Sequence, residues 1–284
     1  FSNLKEPTKH SLKNMNGELI KVLSETDKSQ FNVYDWSYPE IIKFESEDKS
    51  VMLDGIITYP PDFNKNKRYP LIVYGYGMPG TQIVYNRWGS LWNQYLAQQG
   101  YIVFSMDARG MSGRGEKFKN LSYGNMSKYL SIDTVAGVKH LINKGLVDEN
   151  KIGAWGWSGG GYFTGLMLTK NAELFDVGVS VAPVMDFRLY DSIYTERSMG
   201  LPQDNKAGYD STSVLSYVDR FKGKLLVIHG TGDDNVHSQN LTWLIEEFVK
   251  NDKQLDAFYY PDRPHSMRGG KARKNLYKKM MNYF

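Results

Sequence analysis

The chain has no cysteine. Disulfides, cysteine nucleophiles and thiolate metal sites are therefore excluded, although this absence identifies no compartment. It has no apolar run near the roughly 18 residues that a membrane-crossing helix needs. Charge of one sign is also missing: 35 basic residues stand against 31 acidic ones, a net +4 over 284 residues. No basic stripe is visible, which argues against a nucleic-acid partner. No internal repeat is visible either. The first residues, "FSNLKEP", show neither Met nor a signal-peptide pattern. They read as the start of a fragment or processed form whose N-terminal part is missing.

What is present is a globular composition, 41% hydrophobic and 23% charged. The length suits a single α/β enzyme domain. Residues 1–36 are polar and weakly patterned, with a hairpin signal in "MNGE" at 15–18. "EIIKFES" and "VMLDGIITYP" then predict an antiparallel strand pair around "EDKS". After them the texture changes. "LIVYGY", "YIVFSMD", "KIGAWGW", "VGVSVAP", "KLLVIHG" and "LDAFYYP" are short runs of aliphatic and aromatic residues. They read as strands buried on both faces, as in a parallel sheet. Helical stretches lie between them, near 88–99, 131–144, 160–170, 238–250 and 270–283. This alternation predicts about eight strands, the second antiparallel, with right-handed crossovers and helices on both faces. The basic stretch "RGGKARKNLYKKM" reads as the solvated face of the last helix.

In such sheets, chemistry gathers at the carboxyl ends of the strands. After the fifth strand comes "GWSGG", a G-x-S-x-G with Ser158 at its centre. A sharp strand-to-helix turn there would hold the serine strained, with Oγ projecting. The Gly159 N–H would point from a helix start toward a developing oxyanion. Taken alone, the motif also fits a helix-capping serine in a glycine-rich turn. After the seventh strand comes "HGTGDDNVH", where Asp233 or Asp234 could orient a histidine. After the eighth comes "PDRPHSM", with His265 on a proline-bounded loop. The order Ser158, Asp233, His265, each on a different strand-end loop, is that of an α/β-hydrolase.

The other histidines compete weakly. His140 lies among apolar helical neighbours, and His10 sits in the irregular start. His229, at a strand end, reads as a packing or loop-bracing residue. His237 is too near Asp233 in sequence to be the obvious base. The histidines and aspartates of "HGTGDDNVH" fit no familiar zinc spacing. On the loop after the third strand, "YGYGMPGTQ", Tyr76 could supply a phenolic O–H donor. Sequons at Asn120, Asn125 and Asn240 are of the kind that arises by chance.

"GWSGGGY", "APVMDFRLYDSIYTERSMGLP", "HGTGDDNVH" and "PHSM" together resemble the catalytic domain of the dipeptidyl peptidase IV branch of the prolyl oligopeptidase family. The similarity runs from about Pro39 to the C-terminus. It implies Ser158 as nucleophile, His265 as general base, Asp233 as its partner with Asp234 a neighbour, and Tyr76 beside the Gly159 N–H as oxyanion donors. It implies cleavage after a penultimate Pro or Ala, releasing dipeptides, without metal or cofactor. The proline pocket would be lined by Val184, Phe187, Tyr190, Tyr194 and Val236. Asn235 would hold a substrate carbonyl, and Arg197 would brace the site. Positions 187, 190 and 194 have the spacing of one helix face, a spacing that ordinary core packing also produces. The family usually carries a bulky aromatic after the nucleophile, so Gly159 implies a roomier pocket. Phe187 replaces a frequent tryptophan.

The resemblance further implies a β-propeller before the hydrolase domain, of which residues 1–38 would be the tail and connection, residues 39–284 forming the catalytic domain. That propeller carries the glutamates that bind a substrate's free amino terminus. Peptide substrates, a possible homodimer and a periplasmic or secreted location are in keeping with the family. An acyl-aminoacyl peptidase, an oligopeptidase and a carboxylesterase would use the same sequence features. A silent hydrolase-fold binding domain would not need the complete triad.

Overall fold

The computed structural model describes residues 1–29, 31 and 34–284. Strands β1 (Lys9–Lys13) and β2 (Leu19–Glu25) form a separate antiparallel hairpin. Its turn uses Gly17 at φ +84°, the left-handed conformation glycine adopts freely. The other strands are β3 (Glu40–Glu45), β4 (Met52–Thr58), β5 (Tyr69–Tyr74), β6 (Ile102–Asp107), β7 (Val147–Trp157), β8 (Val177–Val181), β9 (Lys224–Gly230) and β10 (Asp256–Tyr260). They make one eight-stranded sheet in the order β10-β9-β8-β7-β5-β6-β4-β3. Only β4 runs antiparallel to its neighbours; the other pairings are parallel. The sheet is that of an α/β-hydrolase, as expected.

The helices are α1 (Leu91–Gln98), α2 (Glu116–Lys119), α3 (Lys128–Asn143), α4 (Gly159–Lys170), α5 (Ser192–Met199), α6 (Lys206–Thr212), α7 (Gln239–Lys250) and α8 (Ala272–Tyr283). The period of two along each strand divides its side chains between two cores. Leu71, Val73, Leu225 and Val227 join one core with α3, α4 and α7. Ile72, Leu226 and Ile228 join the other with α1 and α8. This two-sided burial explains why the strands read as continuous apolar runs. The basic residues of α8 lie on its outer side, while Ala272, Leu276 and Met280 face the sheet.

Helix α4 stands directly behind the central strand β7, and only its last residue, Lys170, is not buried. It begins with three glycines, each costing about 1 kcal/mol of helix propensity relative to alanine. Close approach explains two of them. A Cβ on Gly160 would lie 2.4 Å from the Gly75 carbonyl oxygen, and one on Gly161 2.8 Å from that of Val181. The chain between β8 and β9 is broken into short pieces, with side-chain caps from Asp186, Asp191 and Asn205. Phe187 therefore sits in a 3₁₀ turn, Tyr190 is extended, and Tyr194 belongs to α5. The three aromatics do not share one helix face, because the caps at Asp186 and Asp191 start two separate helices.

Candidate active site

Ser158 joins β7 to α4 at φ +60° and ψ −118°, a conformation that costs a non-glycine residue of order 1–3 kcal/mol. Its N–H donates to the Val181 carbonyl (2.8 Å), and its own carbonyl accepts the Tyr162 N–H (3.0 Å). Gly156 makes the sharp turn possible, since a Cβ there would lie 2.3 Å from the Gly160 oxygen. The turn thus leaves Ser158 at the carboxyl edge of the sheet with backbone packed tightly below it.

The loops after β9 and β10 meet beside this edge. A Cβ on Gly230 would lie 2.2 Å from the Arg263 oxygen, so glycine lets the two loops touch backbone to backbone. The Asp262 N–H donates to Thr231 Oγ1 at 2.9 Å. Asp233, whose side chain has no exposed surface, reaches His265: Oδ2 lies 2.8 Å from Nδ1. Its Oδ1 accepts the N–H groups of Asn235 (3.0 Å) and Val236 (2.8 Å). Asp234 is exposed and contacts His265 only through the backbone, its Oδ1 accepting the His265 N–H at 3.3 Å. Burial acts to raise the Asp233 pKa. Hydrogen bonds from His229, His265 and the two backbone N–H groups outweigh it and hold the carboxyl well below the usual range.

His229 contributes more than the sequence suggested. Its ring is fully buried, with Nε2 2.8 Å from the Val236 oxygen and 3.3 Å from Asp233 Oδ2. Both partners are acceptors, so Nε2 carries the proton. The buried Nδ1 has no partner. His265 is held from its other side by Trp157, whose Nε1–H donates to its carbonyl at 3.0 Å. No hydrogen bond joins His265 to Ser158; a bond between a nucleophile and its base often tightens only in the complex with substrate. His237 is exposed and accepts the Gln239 N–H, while His140 packs on Phe44. No group of three or more His, Asp or Glu residues that could hold a metal occurs among the described residues.

A cavity of about 70 Å³ opens on Ser158. It is lined by Tyr76, Met78, Thr81, Gly159, Val184, Phe187, Tyr190 and Tyr194 as well as the serine. The aromatics stack edge to face in a row: Tyr162 on Phe187 at 4.9 Å, Phe187 on Tyr190 at 6.5 Å, Tyr190 on Tyr194 at 5.9 Å. Burial pushes the Tyr194 phenol well above its ordinary pKa, with Tyr76 and Tyr190 adding to the effect, so it remains a neutral donor. Its O–H donates to the Pro79 carbonyl at 3.1 Å. Asn235 is exposed beside the row, its Oδ1 accepting the Tyr190 O–H at 3.3 Å.

One expectation differs from the structure, the roomier pocket at Gly159. Gly159 leaves no open room, because a Cβ there would lie 2.3 Å from Met78 Cγ. Val236 is fully buried, its N–H donating to Asp233 and its carbonyl facing His229 Nε2. Arg197 is exposed and lines a neighbouring groove with Pro79, Tyr123 and the cavity residue Tyr194, whose phenol feels its charge. The sequence carried no signal for Met78 beyond its place beside Tyr76, nor for the His229–Asp233 contact. Of the sequons, Asn240 is fully buried, with Oδ1 accepting the Met185 N–H.

The loop that carries Tyr76 and Met78 is tied down beyond the cavity. Asp107, buried at the end of β6, accepts the N–H groups of Ile83 (2.8 Å) and Val84 (3.2 Å). Burial raises its pKa to about 6, against the lowering effect of those two bonds.

A strained serine, a histidine paired with a buried carboxylate, and backbone N–H groups at a helix start suit acyl transfer. The family model described as the prolyl oligopeptidase family matches residues 88–284. A probable dipeptidyl-aminopeptidase B from Botryotinia fuckeliana is 40% identical over 79% of this chain and 25% of its own length. The mouse prolyl endopeptidase FAP is 34% identical over 93% of this chain and 35% of its own. The crystal structure of Porphyromonas gingivalis dipeptidyl peptidase 4 superimposes with a TM-score of 0.95 at 33% identity, covering all of this chain and 40% of that one. The chain thus spans a quarter to two fifths of the length of these proteins.

Proposed function

The chain belongs to the prolyl oligopeptidase family, and on that footing we propose that it is the hydrolase domain of a serine exopeptidase that releases N-terminal dipeptides by cleaving after a penultimate Pro or Ala. The observation that carries the reading is the small aromatic cavity opening on Ser158. A flat pyrrolidine ring or a methyl group suits such a space, and Val184, Phe187, Tyr190 and Tyr194 offer it apolar faces.

In this reading, His265 Nε2 takes the proton of Ser158 as Oγ attacks the carbonyl carbon of the substrate residue in the cavity. Asp233 holds the ring so that Nδ1 carries its proton, and stabilises the imidazolium. The oxyanion rests on the Gly159 N–H and the Tyr76 O–H. His265 then gives the proton to the leaving amine. Water, deprotonated by the same histidine, hydrolyses the dipeptidyl ester and frees Ser158. Asn235, at the cavity's edge, binds the carbonyl between the first two substrate residues.

Selectivity for a free amino terminus belongs to a β-propeller preceding this domain, with residues 1–38 as its tail. The separate β1–β2 hairpin, paired with no strand of the main sheet, supports that division. The name of the mouse relative favours a second reading, an endopeptidase acting after proline. Acyl-aminoacyl peptidase and carboxylesterase activities would use the same triad. The intact protein, assayed with Gly-Pro-p-nitroanilide and its N-acetylated form, separates these readings. A dipeptidyl peptidase cleaves the first at least tenfold faster. Equal rates, or preference for the blocked substrate, would replace it with the endopeptidase reading.

A further inference from the structure

The backbone beside Ser158 lacks a side chain, yet the space is filled. A Cβ at Gly159 would meet Met78 Cγ at 2.3 Å, Met78 Sδ at 3.3 Å and Tyr76 Cε1 at 3.2 Å. Met78 comes from a different loop, is 4% exposed, and lines the cavity together with Ser158 and Gly159.

The loop is built to aim it there. Gly77 takes φ +77°, and a Cβ on it would strike Leu130 at 2.3 Å, so this turn is closed to other residues. The Met78 carbonyl accepts both the Thr81 N–H (3.1 Å) and the Thr81 O–H (2.5 Å). The next carbonyl, of Pro79, accepts the Tyr194 O–H. With its backbone clamped on both sides, Met78 retains only the freedom of its side chain. That side chain is unbranched, with three rotatable bonds and a polarisable sulfur, and adapts its shape to its neighbours.

We propose that Met78 is a specificity-determining wall of the cavity, standing where a side chain at position 159 would otherwise stand and setting the size of the residue accepted at the cleaved bond. The proposal rests on the reading of Ser158 as nucleophile. A flexible wall closes on alanine and yields to proline, whereas a larger side chain must displace the thioether into the packed core.

The experiment compares kcat/KM for Gly-Pro-, Gly-Ala- and Gly-Leu-p-nitroanilide in the intact protein. The variants are Met78→Ala, Gly159→Ala, and Gly159→Ala combined with Met78→Gly. Met78→Ala is expected to raise the Gly-Leu to Gly-Pro ratio about tenfold or more, the scale on which apolar pockets discriminate by size. Gly159→Ala is expected to lower Gly-Pro cleavage by a similar factor, and adding Met78→Gly to restore most of it. An unchanged ratio in Met78→Ala, or a double variant no better than Gly159→Ala alone, overturns the proposal. If Met78→Ala does not fold, Met78→Leu conserves volume but stiffens the wall, and an Ala to Pro ratio unchanged there overturns it equally. p-Nitrophenyl acetate and hexanoate are run alongside. Ester hydrolysis without anilide cleavage would mean that the peptidase reading has failed. The hexanoate to acetate ratio of Met78→Ala then decides on Met78, an increase supporting the proposal and no change ending it. A wild-type protein that hydrolyses neither class sinks both.

Discussion

The Nδ1 of His265 lies 2.8 Å from Oδ2 of Asp233, a carboxylate with no exposed surface. The other carboxylate of the loop, on Asp234, meets only the backbone of the same histidine. Asparagine at 233 would keep an oxygen for the backbone N–H groups but turn an NH₂ toward Nδ1, favouring the wrong tautomer. Asp233→Asn is expected to lower kcat on Gly-Pro-p-nitroanilide by about 10⁴-fold. Asp234→Asn should stay within about tenfold of wild type. A larger loss in Asp234→Asn than in Asp233→Asn would reverse the assignment.

Ser158→Ala should abolish turnover, by up to about 10⁶-fold. The variant should fold, because the Ser158 side chain makes no hydrogen bond among the described residues and caps nothing in α4. Circular dichroism matching wild type, with activity lost, is the expected pair of results.

Tyr76 lines the cavity beside Gly159, and its proposed share in the oxyanion site rests on the phenolic O–H alone. Tyr76→Phe keeps the ring and removes that donor. A loss of about 10²–10³-fold in kcat with little change in KM is expected for a donor acting in the transition state. A change confined to KM would make Tyr76 a packing residue instead.

Asp107 couples the cavity loop to pH. Its folded pKa of about 6 lies above the ordinary value of 3.8, so the folded state binds its proton more tightly than the unfolded chain. Its contribution to stability is full below pH 4 and is lost as pH rises through 6. Over that window the loss is on the order of 3 kcal/mol. Asp107→Asn retains an oxygen for only one of the Ile83 and Val84 N–H groups, which costs the same at every pH, and does not titrate. Thermal melts from pH 4 to 7 should show the variant gaining on wild type as pH rises. Parallel curves would show that Asp107 does not titrate in this range.

Arg109 holds the opposite end of the same region. Its guanidinium, 4% exposed, bonds to both oxygens of Asp133, which is fully buried on α3, and reaches Asp48 in the β3–β4 turn at 2.7 Å. Arg109→Met leaves the Asp133 carboxylate buried without its partner, which costs about 3–5 kcal/mol. A double change, Arg109→Met with Asp133→Leu, should recover much of that loss in chemical denaturation. Equal destabilisation in single and double variants would trace the cost to packing.

The eight strands of the main sheet and helices α1, α3, α4, α7 and α8 were legible because each depends on neighbours in the chain. Runs such as "LIVYGY" record burial on two faces, and the glycines around Ser158 record a turn with no room for side chains. Ser158, a carboxylate loop and His265 could be ordered along the chain for the same reason. The aromatic spacing at 187, 190 and 194 misled, because caps at Asp186 and Asp191 broke the segment and the cavity gathered its rings from separate pieces.

By itself, then, the sequence determined the sheet, the strained turn and the residue types available at its edge, all of them written in local periodicity and backbone sterics. Only the tertiary structure decided which aspartate faces His265, that buried His229 shares its oxygen, and that Met78 fills the space Gly159 leaves. These depend on contacts between distant segments, set by how loops pack against one another, and no short stretch of residues encodes them.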